Sequence, residues 1–170
     1  MQAKLSESIP PKSIKHPFLK GFPKKYHKDL LRNAKILNRK EGRFVFRDGE
    51  RARHFYLILK GQIDILTKEQ DVRLDPEATT AVLIHLKSGD IVGWSWIIPP
   101  FRWRFDSKVE TDTCLLALDG THLRKKASRD YRFAYEIYKR LVPVMNERMI
   151  AARMRLIMGG ARPCAAAEGA

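Results

Sequence analysis

The stretch FVFRDGERARHFYLILKGQIDIL, residues 44–66, decides the fold. Phe44 and Phe46 alternate with Val45 and Arg47 and run into Asp48-Gly49, the pattern of a strand entering a tight turn. Phe55 to Leu59 and Gln62 to Thr67 read as a hairpin about Gly61. Working outward, the polar span Glu69 to Thr80 reads as a loop and Ala81 to Leu86 as a buried strand. Val109 to Leu118 closes the set. Short apolar runs between glycine turns predict an antiparallel β-roll from about Gly42 to Leu118.

Helices flank this core in the sequence. Pro23 suits a first helical turn. Tyr26, Leu30, Ala34 and Leu37 follow at helical spacing, with Leu31 beside them. Thr121 is a candidate N-cap, and a long helix is expected from about Asp130 to Met158, with Pro143 inside it. In that helix Ile137, Val144, Ala151 and Met158 recur every seven residues. Leu141, Met145, Met149, Ala152 and Leu156 thicken the stripe. Such a repeat fits a helix packed on a partner helix, or one packed back on its own roll.

Bulk properties narrow the class. At 170 residues the chain suits one domain with attached helices. No run of about 18 apolar residues marks a membrane span, and the first twenty residues lack the apolar core of a signal peptide. Cys114 and Cys164 are far apart, and His16, His27, His54, His85 and His122 are scattered without ligand spacing. These features predict no disulfide framework, no metal and a cytoplasmic home. The net charge of +14 is concentrated at the ends, +9 in residues 1–40 and +7 in 121–160. A solvated basic face, or one that docks an acidic partner, is expected. Asp48, Glu50 and Asp90 sit at turns, where capping explains them. No nucleophile–base set stands in a supporting context, so no enzyme is expected.

Three pieces, taken in order, resemble a cyclic nucleotide-binding domain of the catabolite activator superfamily. They are FVFRDGERARHFYLILKGQIDIL, then GDIVG at 89–93, then DTCLLALDGTHLRK at 112–125. The resemblance spans roughly Phe22 to Ile157. It implies a mainly β fold with flanking α: an antiparallel, jelly-roll-like β-roll with N-terminal helices and a long C-terminal helix. The implied divisions are a basic arm and helix at 1–40, the roll at 41–120, lid and dimerisation helices at 121–158, and a flexible tail at 159–170. Only GGARPCAAAEGA follows the long helix, so the helix-turn-helix of the superfamily's transcription factors is not expected, nor is sequence-specific DNA binding.

The resemblance also implies a phosphate-binding cassette, here GDIVGWSWIIPPFRWRFD, residues 89–106. In the family a short helix, an Arg and a Ser or Thr hold the cyclic phosphate, and a Glu takes the ribose hydroxyl. Register places Arg104 at the Arg, Phe105 at the Ser or Thr, Gly93 at the Gly and Trp94 at the Glu. Gly93, Trp94, Ser95, Arg104, Phe105 and Asp106 are therefore the candidate ligand residues. Arg148, Ala152 and Arg153 fall near the lid positions. Trp94, Trp96 and Trp103 crowd the cassette, either as a stacking wall or as filler.

Two functions follow from the resemblance. One is a stand-alone dimeric sensor that binds cAMP, cGMP or a related anionic ligand and signals through its helices, with no cofactor. The other is a ligand-independent interaction module with a basic surface.

Overall fold

The computed structural model describes residues 14–68 and 80–160. The arm through Pro10 and Pro11, the connection at 69–79, the tail from 161 and the side chains of Leu156 and Met158 lie outside the described residues. The chain divides into two compact units, residues 1–136 and 137–170.

The first unit is a six-stranded antiparallel sheet with short helical segments, as the alternation predicts. Its strands are β1 (Lys35–Arg39), β2 (Phe44–Phe46), β3 (His54–Lys68), β4 (Thr80–Lys87), β5 (Ile91–Val92) and β6 (Asp106–Asp119). The sheet path runs β1-β6-β3-β4, with β2 on β6 and β5 on β3. The spine is the long pair β3–β6, from His54↔Asp119 to Leu66↔Asp106. Phe55, Leu57, Ile58, Ile63, Val109, Leu115 and Leu118 are fully buried along it. Each such side chain contributes roughly 1.5–3 kcal/mol of burial.

A second apolar cluster closes one end. Phe18 meets Phe55 edge-on at 4.9 Å, and Phe22, Tyr26 and Phe133 pack as T-shaped pairs, with 5.3 Å between Tyr26 and Phe133. These rings hold the N-terminal segment and the start of the last helix on the roll.

The structure corrects four local expectations. Gly61 is not a hairpin turn, because β3 runs unbroken through it for 15 residues. The pairing with β6 slips there instead, with irregularities between Ile58 and Ile63. Gly61 sits at φ +95°, and a Cβ on it would stand 2.7 Å from the Asp112 carbonyl. The glycine is present for a bulge at close backbone approach.

The helix expected through Leu37 ends early. A 3-10 turn at Lys24–Tyr26 and α1 (His27–Leu30) are followed by Asn33 at φ 58°, and the chain then enters β1. Pairing of Lys35–Arg39 with Thr113–Ala117 overrides the helical spacing of Ala34 and Leu37. β4 is an edge strand rather than a buried one: Leu86 is buried, but Val82 is exposed. Finally, α2 (Gly120–Ala127) is capped by Asp119, whose carboxylate accepts from His122 N at 2.9 Å. Thr121 lies inside the first turn.

α3 spans Tyr131–Gly160, with Pro143 inside it. Asp130 caps it by accepting from Phe133 N at 3.0 Å. In the second unit, which α3 dominates, Ile137 and Leu141 are fully buried, whereas Tyr138, Val142, Met149, Ile150 and Met154 are exposed.

Candidate anion-binding cassette

The cassette leaves the roll from a pinned strand. In β5, Val92 pairs with Tyr56 and Ile91 with Leu57. Ile58 N donates to Asp90 O at 3.0 Å and Gly89 N to Ile58 O at 2.9 Å. Asp90 also caps the β4–β5 turn, accepting from Lys87 N at 2.8 Å. Gly93, at φ +69°, turns the chain out of the strand. Residues 95–97 then form a single turn closed by Ile97 N donating to Trp94 O at 3.0 Å. This turn stands where the resemblance implies a short helix.

The return limb runs back along the hairpin at 47–53. Ala52 N donates to Phe101 O at 2.8 Å, Trp103 N to Glu50 O at 2.9 Å, and Gly49 N to Trp103 O at 3.0 Å. Phe101 sits at φ 59°, which costs strain in a bulky residue.

Two of the three tryptophans are core. Trp96 is fully buried and stacks on Phe55 at 5.1 Å. Its indole N–H has no acceptor among the described residues. Trp103 is buried too, stacked on Phe46 at 3.7 Å and on Tyr56 at 6.2 Å. Its six-membered ring covers Gly93, with Cη2 3.2 Å from where a Cβ would stand. Burial lifts the Tyr56 hydroxyl to a pKa of about 12, with Arg39 opposing and Glu50 adding.

The other sequence candidates separate into two groups. Arg104 and Phe105 are exposed, Phe105 at 41 %. No carboxylate among the described residues pairs with Arg104. Trp94 and Ser95 are half-buried beside Gly93. Asp106 is buried and committed: it accepts from Arg47 Nη1 at 2.9 Å and from Asp48 N at 2.7 Å. In the second unit Arg148 is half-buried, and Ala152 and Arg153 are exposed on α3.

Sequence reasoning missed Arg124 on α2. Its Nη1 donates to the carbonyls of Trp96 and Ala52, and its Nη2 to Thr121 Oγ1 at 3.2 Å. The guanidinium also lies 4.3 Å from the Phe101 ring centre. Burial lowers its pKa against the pull of Asp119. It ties the cassette turn to α2, and nothing in its local sequence signals that.

With this geometry in hand, the family model for the cyclic nucleotide-binding domain matches residues 37–130. The chain belongs to the cyclic nucleotide-binding domain family. The match covers the roll, the cassette and α2, so the regulatory β-roll of that family is the architecture described above. Solved structures agree on the fold. A putative cyclic nucleotide-binding protein from Geobacter metallireducens GS-15 superposes with TM-score 0.68 at 14% identity, covering 79% of this chain and 92% of that one. A cyclic nucleotide-binding domain from Methylobacillus flagellatus KT gives 0.66 at 14%, covering 80% and 73%. The c-di-GMP responsive regulator CLP of Xanthomonas campestris gives 0.58 at 21%, covering 79% and 63%. No curated protein sequence matches the chain. No helix among the described residues is long and apolar enough to cross a membrane.

Proposed function

We propose that the chain is a non-enzymatic, cytoplasmic sensor that binds a phosphate-bearing nucleotide at the cassette mouth and relays occupancy through α2 and α3. One observation carries the reading: Arg104, at the family's phosphate position, is an exposed guanidinium without a carboxylate partner among the described residues. An Arg in that state offers a planar two-pronged fork to a phosphate. Beside it the exposed ring of Phe105 offers a face for a base.

The pose differs from the one the resemblance implies. Trp103 covers Gly93, Trp94 cannot accept from a ribose hydroxyl, and Asp106 is spoken for by Arg47 and Asp48. The phosphate therefore meets Arg104 on the outer side of Trp103. Gly93, Trp94 and Ser95 are half-buried at the start of the same segment, and Arg148, Ala152 and Arg153 belong to the helix that would carry the signal. Because Trp103 fills the inner corner, a ligand-independent docking module with a basic surface is the second reading.

The sensor is a homodimer through the exposed apolar positions of α3. Thermal-shift screening against cAMP, cGMP and cyclic di-GMP tests the reading, since a ligand bound only by the folded state raises the melting temperature. A rise of several degrees with one nucleotide, absent in Arg104→Ala, supports the sensor. No rise with any of them favours the docking module.

A further inference from the structure

Arg51 and Arg102 face each other as an isolated antiparallel bridge. The backbone bonds from Ala52 N to Phe101 O and from Trp103 N to Glu50 O flank them. The two arginines therefore occupy a non-hydrogen-bonded site, where Cα atoms approach to about 4.5 Å and side chains stand closest. Like charges directly opposite each other in such a site are destabilising.

Alternation puts this pair on the outer face. The next residues along each limb, Ala52 and Trp103, are buried, while Arg51 and Arg102 are exposed. Arg104 follows two positions later and is exposed as well. Among the described residues, Arg102 Nη1 donates to Gly49 O at 2.6 Å. Two of the acids nearby in sequence, Glu50 and Asp106, accept hydrogen bonds from other groups. Glu50 accepts from Arg47 N at 3.0 Å, and Asp106 from Arg47 and Asp48. The paired limbs thus present Arg51, Arg102 and Arg104 as exposed side chains, and no ion pair to any of the three is seen among the described residues.

We infer that Arg51 and Arg102 form a second anion subsite beside Arg104, and that the ligand is a nucleotide carrying two phosphate charges. The inference rests on the sensor reading of Arg104. One phosphate on Arg104 leaves the Arg51–Arg102 repulsion in place. A second phosphate neutralises it and gains charge-assisted bonds from both guanidiniums. The two charges can come from a cyclic dinucleotide or from the diphosphate of a linear nucleotide, which share this chemistry.

Calorimetry on the full chain distinguishes these cases. The probes are cAMP, cyclic di-GMP and GDP, titrated into wild type, Arg51→Ala, Arg102→Ala and Arg104→Ala. We expect one of the two-phosphate probes to bind at least tenfold more tightly than cAMP. Cyclic di-GMP alone marks a dinucleotide, and GDP alone a linear diphosphate. Arg51→Ala should lower that affinity about tenfold and leave cAMP binding unchanged. The melting temperature of unliganded Arg51→Ala should equal or exceed that of wild type, because a repulsion is removed. If cAMP binds through Arg104 but neither two-phosphate probe binds more tightly, the second subsite is overturned and the sensor reading stands. If no probe binds, both fall.

Discussion

The indole of Trp103 lies flat on the ring of Phe46, with 3.7 Å between centroids and 8° between planes. The same indole covers Gly93. Trp103 is thus part of the hydrophobic core, and its neighbours Arg102 and Arg104 are left outside. A substitution that lifts Trp103 should disturb stability and cassette together. Gly93→Ala introduces a methyl against the indole at φ +69°, where L-residues are strained. Overpacking and backbone strain together should cost about 2–4 kcal/mol. Urea unfolding followed by tryptophan emission checks this, because all three tryptophans lie in the cassette.

Gly61→Ala should be at least as costly. Its Cβ would meet the Asp112 carbonyl and the Thr113 Cα, both at 2.7 Å, and backbone atoms cannot swing aside as a side chain can. We expect a loss of about 3 kcal/mol or more, from overpacking plus the φ of +95°. The midpoint of chemical denaturation relative to wild type measures it.

Arg124→Met keeps most of the stem volume but removes the donors to Trp96, Ala52 and Thr121. Leaving those acceptors unpaired should cost about 1–3 kcal/mol, localised at the cassette. Hydrogen exchange should accelerate at residues 96–101 while the β3–β6 spine keeps its protection. Uniform acceleration across the sheet would mean that Arg124 is general packing.

His16 should make the roll acid-sensitive. Its Nδ1 accepts from Phe18 N at 3.1 Å, and its Nε2 bonds Asp90 O at 3.2 Å, so the neutral ring fits the site. Burial lowers its pKa, outweighing the hydrogen bond and charge of Asp90. The folded state therefore holds fewer protons than the unfolded chain below about pH 6.5. Its contribution is complete above that pH and is lost as pH falls beneath it. Melting temperature measured between pH 7.5 and 5.0 should drop in wild type and drop less in His16→Gln.

On α3, Tyr138, Val142 and Met149 are exposed apolar positions in a helix where Ile137 and Leu141 are already buried. The dimer proposed above would use these exposed positions, of which only Met149 belongs to the stripe that starts at Ile137. Val142→Glu should return a monomer mass by light scattering at concentrations where wild type returns a dimer. A wild-type monomer at every concentration would remove the dimer.

The sequence shows the roll because alternation, turn glycines and cap carboxylates agree along β2, β3 and β6, and the caps at Asp90 and Glu50 form as read. It fails where long-range pairing overrules local spacing. Gly61 looks like a turn until Thr113 is seen against it, and Lys35–Arg39 looks helical until paired with β6. In the cassette, the segment FRWRF carried a usable signal, because alternation sets Trp103 opposite Arg102 and Arg104. The role of Arg124 was invisible, since its partners lie 28 and 72 residues away.

Tryptophan emission during nucleotide titration tests the central claim most directly, because Trp94, Trp96 and Trp103 all lie within ten residues of Arg104 in the same segment. The account predicts a saturable change with a phosphate-bearing nucleotide in wild type and its loss in Arg104→Ala. An identical titration in both proteins, or a flat one in wild type, would contradict it.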